Sequence, residues 1–154
     1  MNIESQCQCG EAKLNITGKA ISRGYCHCLI CQEFNQAPYA DVAIFYADDV
    51  AIPDEKIEFV KFGDPATALP RGKCKACGKP VVEKMKIPGL PAMVFIPAET
   101  FTDANAIPAP ALHMFYHRRV EDMQDKLPKY SGSIRSQLGF MRQLLPAMLK
   151  HRSG

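Results

Sequence analysis

Seven of the 154 residues are cysteines, and they fall in three tight groups: Cys7-Gln8-Cys9, Cys26-His27-Cys28-Leu29-Ile30-Cys31 and Cys74-Lys75-Ala76-Cys77. Sulfurs this close in sequence can converge on one ion, and thiolates are ligands that zinc and other soft metals select. Glycine follows two of the groups, as Gly10 and Gly78, where a tight turn after the second ligand needs a backbone geometry other residues resist. Each of these two groups supplies two ligands. A closed tetrahedral zinc site takes four, so Cys7 and Cys9 with Cys74 and Cys77 complete one structural site and tie the start of the chain to its middle. Cys26, Cys28 and Cys31 remain. Three protein ligands with the fourth position open is the pattern of a catalytic zinc, so these three are the expected catalytic residues. An odd count is awkward for a disulfide framework and natural for four plus three.

Two Zn²⁺ ions per chain are therefore expected, the three-thiolate one being the more labile. Iron or an iron–sulfur cluster is the alternative for the four-thiolate site. His27 sits between two ligands that point the same way, so its ring is expected to face elsewhere. His113, His117 and His151 are far away in sequence, with surface or packing roles as the simplest reading.

The composition frames that chemistry. Hydrophobic residues at 47% and charged residues at 23% are those of a globular domain, which excludes a disordered chain. No apolar run approaches the roughly 20 residues that span a bilayer, and Met1 to Gln6 lacks the features of a secretory signal. A cytoplasmic protein is the expectation. The formal charge of +3 falls to about 0 once seven thiolates meet two dications, which argues against a nucleic-acid partner.

The elements that must position the cysteines are short. Twelve prolines, spread over residues 38–146, leave little room for long helices before about residue 130. Strand patterns run from Lys13 to Thr17, Tyr39 to Tyr46, Lys56 to Phe62, Val81 to Ile87, Met93 to Ile96 and Leu112 to Tyr116. Gly63-Asp64-Pro65 and Pro88-Gly89-Leu90-Pro91 read as turns. After Pro128 the period changes: Ile134, Leu138, Met141, Leu145 and Met148 form one stripe of an amphipathic helix that Pro146 should end or kink. Packing against the domain is the simplest use of that stripe, and a homodimer or partner-binding face is the other. Lys150-His151-Arg152 suits the carbonyl end of a helix. The division expected is a zinc-binding domain over 3–131 and a helical extension over 132–154.

The full spacing, Cys-x-Cys, sixteen residues, Cys-x-Cys-x-x-Cys, about forty residues, Cys-x-x-Cys-Gly, resembles the glutathione-dependent formaldehyde-activating enzyme family, which shares its domain with the CENP-V proteins. His113-Met114-Phe115-Tyr116 with Arg119, and Asp125-Lys126-Leu127-Pro128-Lys129-Tyr130, are similar to the family's downstream segments. The resemblance implies a mainly β, Mss4-like (β-tent) fold, with structural zinc at Cys7, Cys9, Cys74 and Cys77 and catalytic zinc at Cys26, Cys28 and Cys31. It implies a carbon–sulfur lyase reaction, formaldehyde and glutathione joined as S-hydroxymethylglutathione, and hence a small thiol and an aldehyde as partners. Where many members carry Arg-Lys-x-Ser-Gly after the third cysteine of the trio, this chain reads Gln32-Glu33-Phe34-Asn35-Gln36.

Two functions remain open on the sequence. In the first, a thiol at the open metal position attacks an aldehyde, with His27, Tyr25 or His113 carrying the proton. In the second, zinc merely organises a platform for protein or nucleic acid. The isolated basic pairs Arg118-Arg119 and Lys73, Lys75 give that platform little to bind with.

Overall fold

Alternation of buried and exposed side chains along short segments builds two sheets, and the face each residue takes decides what it can serve. A computed structural model describes residues 2–63 and 68–153. In chain order the elements are β1 (Ile3–Gln6), β2 (Lys13–Ile16), β3 (Ser22–Cys26), α1 (Leu29–Asn35), β4 (Ala40–Tyr46), β5 (Val50–Ala51), β6 (Ile57–Val60), β7 (Arg71–Cys74), β8 (Pro80–Met85), β9 (Met93–Pro97), β10 (His113–Met114) and α2 (Ser133–Ser153). The chain is mainly β, as expected, and a long helix closes it. The turn expected at Gly63-Asp64-Pro65 lies, beyond Gly63, outside the described residues.

A three-stranded sheet runs β1-β2-β5, and a seven-stranded sheet runs β10-β3-β4-β9-β8-β7-β6. The pairs are antiparallel except β3 with β10, where His113 lies opposite Tyr25 and Met114 opposite Cys26. Leu14 and Ile16 of the small sheet share a core with Ala43, Phe45, Val82, Val94 and Ile96 of the large one. Because successive strand residues face opposite ways, Ile44, Met85 and Met93 point to the other face, where Leu144 and Met148 of α2 meet them. The seven-stranded sheet is thus covered on both faces, by a sheet on one and a helix on the other.

The helix differs from its expected stripe. Leu144 is 1% exposed and Met148 7%, whereas Ile134 and Leu138 are 76% and 66% exposed. The packed face is Ser136, Phe140, Leu144 and Met148 with Met141 beside them, so Met141 and Met148 of the apolar repeat face inward while Ile134, Leu138 and Leu145 face out. Ser136 is buried and fixes this face: its Oγ accepts the Phe115 N–H at 2.8 Å and donates to the Tyr130 carbonyl at 3.2 Å. Gly139 is needed where the helix crosses Tyr130, since a Cβ there would lie 2.5 Å from the ring. The helix also continues through Pro146 to Ser153. Burial of Leu144 and Met148 on either side of Pro146 offsets the hydrogen bond that proline cannot make. Near the end, His151 Nε2 lies 3.0 Å from the Lys19 carbonyl, which ties that end of the helix to the segment before β3.

The strand expected from Leu112 to Tyr116 shrinks to two residues, because Phe115 adopts a left-handed φ of 53° and a helical turn follows. The helix α1 has no counterpart in the sequence reading. Its seven residues are too few to show a period, and Cys28 rather than a conventional cap starts it.

The packing makes a measurable distinction along α2. Leu144→Ala should cost about 2–5 kcal/mol through loss of buried contacts and the cavity left behind, while Leu138→Ala should change stability by no more than about 0.5 kcal/mol. Urea unfolding midpoints of the two variants check this, and equal costs would mean the outward stripe is the packed one.

Candidate metal centre

The first cluster forms where two strands end. β1 runs out at Gln6 and β7 ends at Cys74, and the following turns bring Cys7, Cys9, Cys74 and Cys77 together, with all four sulfurs within 4.8 Å of one another. The turns are alike. The Gly10 N–H donates to the Cys7 carbonyl at 3.0 Å and the Gly78 N–H to the Cys74 carbonyl at 2.8 Å. Both glycines have positive φ, 81° and 74°, with no atom close enough to contact a Cβ, so backbone conformation and not space requires them. Sγ–Sγ separations are 3.3 Å for Cys7 and Cys9 and 3.7 Å for Cys9 and Cys74. A zinc tetrahedron with Zn–S near 2.3 Å has edges of about 3.8 Å, whereas a disulfide would need about 2.05 Å. All seven cysteines are free thiols.

The second cluster uses the end of a strand and the start of a helix. Cys26 is the last residue of β3, Cys28 caps α1 with its sulfur accepting the Cys31 N–H at 3.3 Å, and Cys31 lies in the first turn. Strand end, cap and first turn point three sulfurs at one place, again within 4.8 Å of one another. Among the described residues no fourth Cys, His, Asp or Glu joins this group.

Electrostatics show what each cluster lacks. Hydrogen bonds from Cys26 and then Cys31 bring the Cys28 thiol down to about 3. The Cys28 contact, aided by burial and against the pull of Cys31, pushes Cys26 up to about 12, and Cys26 and Cys28 raise Cys31 well above the ordinary thiol range. In the quartet, burial alone would raise Cys7, but the Ala12 N–H and the neighbouring thiols bring it down to about 6. Cys9 gains from the backbone of Glu11, yet Cys7 drives it up to about 12. One sulfur in each group ionises at the expense of others. Full ionisation needs a cation among them, which is the condition a dication satisfies. Both groups fit a metal held by sulfur, and zinc is consistent with each.

His27 does not join the trio. Its ring is 1% exposed and turns to His113, Nε2 to Nδ1 at 2.9 Å, while His113 Nε2 reaches Asp125 Oδ2 at 2.8 Å. Asp125 is held as a carboxylate by Lys129 and by His113, well below its ordinary range. Burial, followed by the nearby His113 and Arg119, pulls His27 down to about 4 and keeps it neutral. This chain, buried at both histidines and exposed at Asp125, links the segment between Cys26 and Cys28 to the loop that carries Asp125. The sequence reading saw both segments but not that they meet, because 86 residues separate His27 from His113.

A cavity of about 690 Å³ opens beside the trio. Cys26, Cys28 and Cys31 line it, with Val42, Ile44, Met85, Phe95 and Met114 from the sheet and Phe140 and Met141 from α2. His27 and His113 are not on its wall. Arg71 and Glu83 are. They face each other in the β7–β8 register, paired at 2.8 Å with side chains 9% and 6% exposed. Arg71 Nη1 also approaches Cys31 Sγ at 4.0 Å. Burial raises the Glu83 carboxyl, against the pull of Arg71. Neither residue was singled out in the sequence. A lone arginine and a lone glutamate twelve positions apart give no motif, and only strand register makes them neighbours. No described helix is long and apolar enough to cross a membrane.

The model of a family described as glutathione-dependent formaldehyde-activating enzyme matches residues 2–118. That span contains both cysteine clusters and ends before Asp125 and α2. A crystal structure of a Rhodobacter sphaeroides protein shares the fold, with a TM-score of 0.51 at 14% identity over 82% of this chain and 98% of that one. No curated protein matches the sequence. With both metal-fitting cysteine groups inside a match that spans well over half its length, the chain belongs to the glutathione-dependent formaldehyde-activating enzyme family.

Proposed function

We propose that the protein is a zinc enzyme that makes and breaks the carbon–sulfur bond between a small thiol and an aldehyde, and so a carbon–sulfur lyase; the family's description, a glutathione-dependent formaldehyde-activating enzyme, supports a thiol and an aldehyde as the reactants. In this reading Cys7, Cys9, Cys74 and Cys77 hold a structural zinc, and Cys26, Cys28 and Cys31 a catalytic one. The observation that carries it is the contrast between the two groups. The quartet is complete, while the trio has three sulfurs and a cavity where a fourth ligand would stand. A non-catalytic platform has no use for that cavity. The two sheets joined through the quartet agree with an Mss4-like (β-tent) arrangement, and seven free thiols with a reducing, cytoplasmic setting.

Zinc bound by the trio would supply a site at which a thiol loses its proton near neutral pH. The chain's own residues supply the rest. Arg71, 4.0 Å from Cys31, places a fixed positive charge beside sulfurs that are crowded with negative charge. Glu83, whose carboxyl burial raises, takes the proton released by the thiol and returns it to the aldehyde oxygen. The balance is a simple addition: the thiol S–H and the C=O π bond are lost, a C–S and an O–H bond are gained, and nothing is oxidised. Of the proton carriers expected from sequence, Tyr25 lines the cavity, whereas His27 and His113 lie off its wall. They act here as supports that fix the Cys26–Cys28 segment.

Cys28→Ser should abolish turnover and release one of two zinc equivalents, with the circular dichroism spectrum retained. Cys74→Ser should release the other equivalent and unfold the chain. Full activity of Cys28→Ser, read as formaldehyde loss in the presence of a thiol, contradicts the proposal. Glu83→Gln should lower kcat about 10²-fold while both zinc equivalents stay bound. An unchanged kcat in that variant removes Glu83 from the proton path.

A further inference from the structure

The cavity beside the trio is built for a different kind of thiol from a charged peptide. Its wall beyond the sulfurs is mostly apolar, with Val42 and Ile44 of β4, Phe95 of β9 and Met85 of β8 forming the floor and Phe140 and Met141 of α2 the roof, and with Tyr25, Gln137, Arg71 and Glu83 as its polar side chains. Among the described residues on that wall, the cation is Arg71 and the carboxylate is Glu83, and they already neutralise each other at 2.8 Å. A dication with three thiolates carries one net negative charge, and a bound thiolate adds another. Glutathione would bring two carboxylates and an ammonium group as well, and the described wall offers them no unpaired charge, only the uncharged polar side chains of Tyr25 and Gln137. Burying such groups without partners is unfavourable, while an uncharged body gains from the same surface. Volume does not discriminate, since about 690 Å³ would admit either. Formaldehyde, two heavy atoms in size, fills almost none of it, so the space belongs to the thiol.

Resting on the zinc-thiol reading above, we propose that the thiol substrate carries an uncharged aromatic or alkyl body, and that α2 selects it through Phe140 and Met141. Methionine and phenylalanine suit that task, being polarizable and adaptable to alkyl chains and rings. The selecting helix, Ser133–Ser153, lies beyond the residues matched by the family model, 2–118, so this wall is not part of the matched pattern. Gln137 lines the same cavity from an exposed position, which makes it the place where one charge can be added without touching the packed face.

The test uses the full chain reconstituted with Co²⁺, whose sulfur-to-metal absorption reports a thiol joining the trio, alongside formaldehyde consumption by the zinc protein. 2-Phenylethanethiol should bind at least tenfold more tightly than glutathione and support at least tenfold higher kcat/KM. Phe140→Ala should narrow that preference. Gln137→Arg should narrow it from the other side, by improving glutathione binding, and does not depend on how Phe140→Ala folds. Glutathione equal to or better than 2-phenylethanethiol in the native chain overturns this inference and leaves the carbon–sulfur reaction standing. If neither thiol changes the cobalt spectrum or consumes formaldehyde, the enzymatic reading fails and takes the inference with it.

Discussion

Thiols packed within 4.8 Å of one another cannot all ionise unless a cation sits among them. That constraint organises the molecule. Cys28 ionises easily while Cys26 and Cys31 are driven up, and Cys7 ionises while Cys9 is driven up. A dication would relieve the crowding in both places, and in the quartet it would also join the turn after β1 to the end of β7. Metal binding and folding are then the same free energy at that site. At the trio they are separable, because a strand end and a helix cap hold the sulfurs by backbone hydrogen bonds of their own.

The seven-stranded sheet sets the sulfurs of the trio beside a cavity. Its strand register lines up Ile44, Phe95, Glu83 and Arg71 across four neighbouring strands. Cys26 shares their face, so the metal-fitting sulfurs, the buried ion pair and the apolar floor all open into one space. The opposite face packs on the small sheet and is closed. α2 roofs the open face, and its attachment at Ser136 sets which of its side chains look inward. The chain from the buried His27 and His113 out to Asp125 holds the segment bearing the first two cysteines of the trio from behind.

The ligand groups were legible because spacing alone decides them. Two ligands plus two, and three left over, follow from Cys7 to Cys77 without any knowledge of the fold. Most strands were legible too, since Lys13–Ile16 and Met93–Pro97 carry their patterns within a few residues. What sequence could not show is set by distant pairing. Arg71 meets Glu83 through register, and His27 meets His113 across 86 residues. The inward face of α2 was legible at Met141 and Met148 but not at its start, where Ser136, a polar residue, is the buried contact and an apolar repeat gives such a residue no weight. α1 is shorter than any periodic signal, and a cysteine supplies its cap.

The central claim is that one metal is closed by four sulfurs and the other is held by three. Zinc K-edge absorption on the purified full-length chain, combined with metal content per chain, measures it most directly. The account predicts two zinc ions, with an average of about 3.5 sulfurs and 0.5 lighter ligands around each. A single four-sulfur zinc with the cysteines of the trio joined as a disulfide, or two ions each enclosed by four protein ligands, would contradict it.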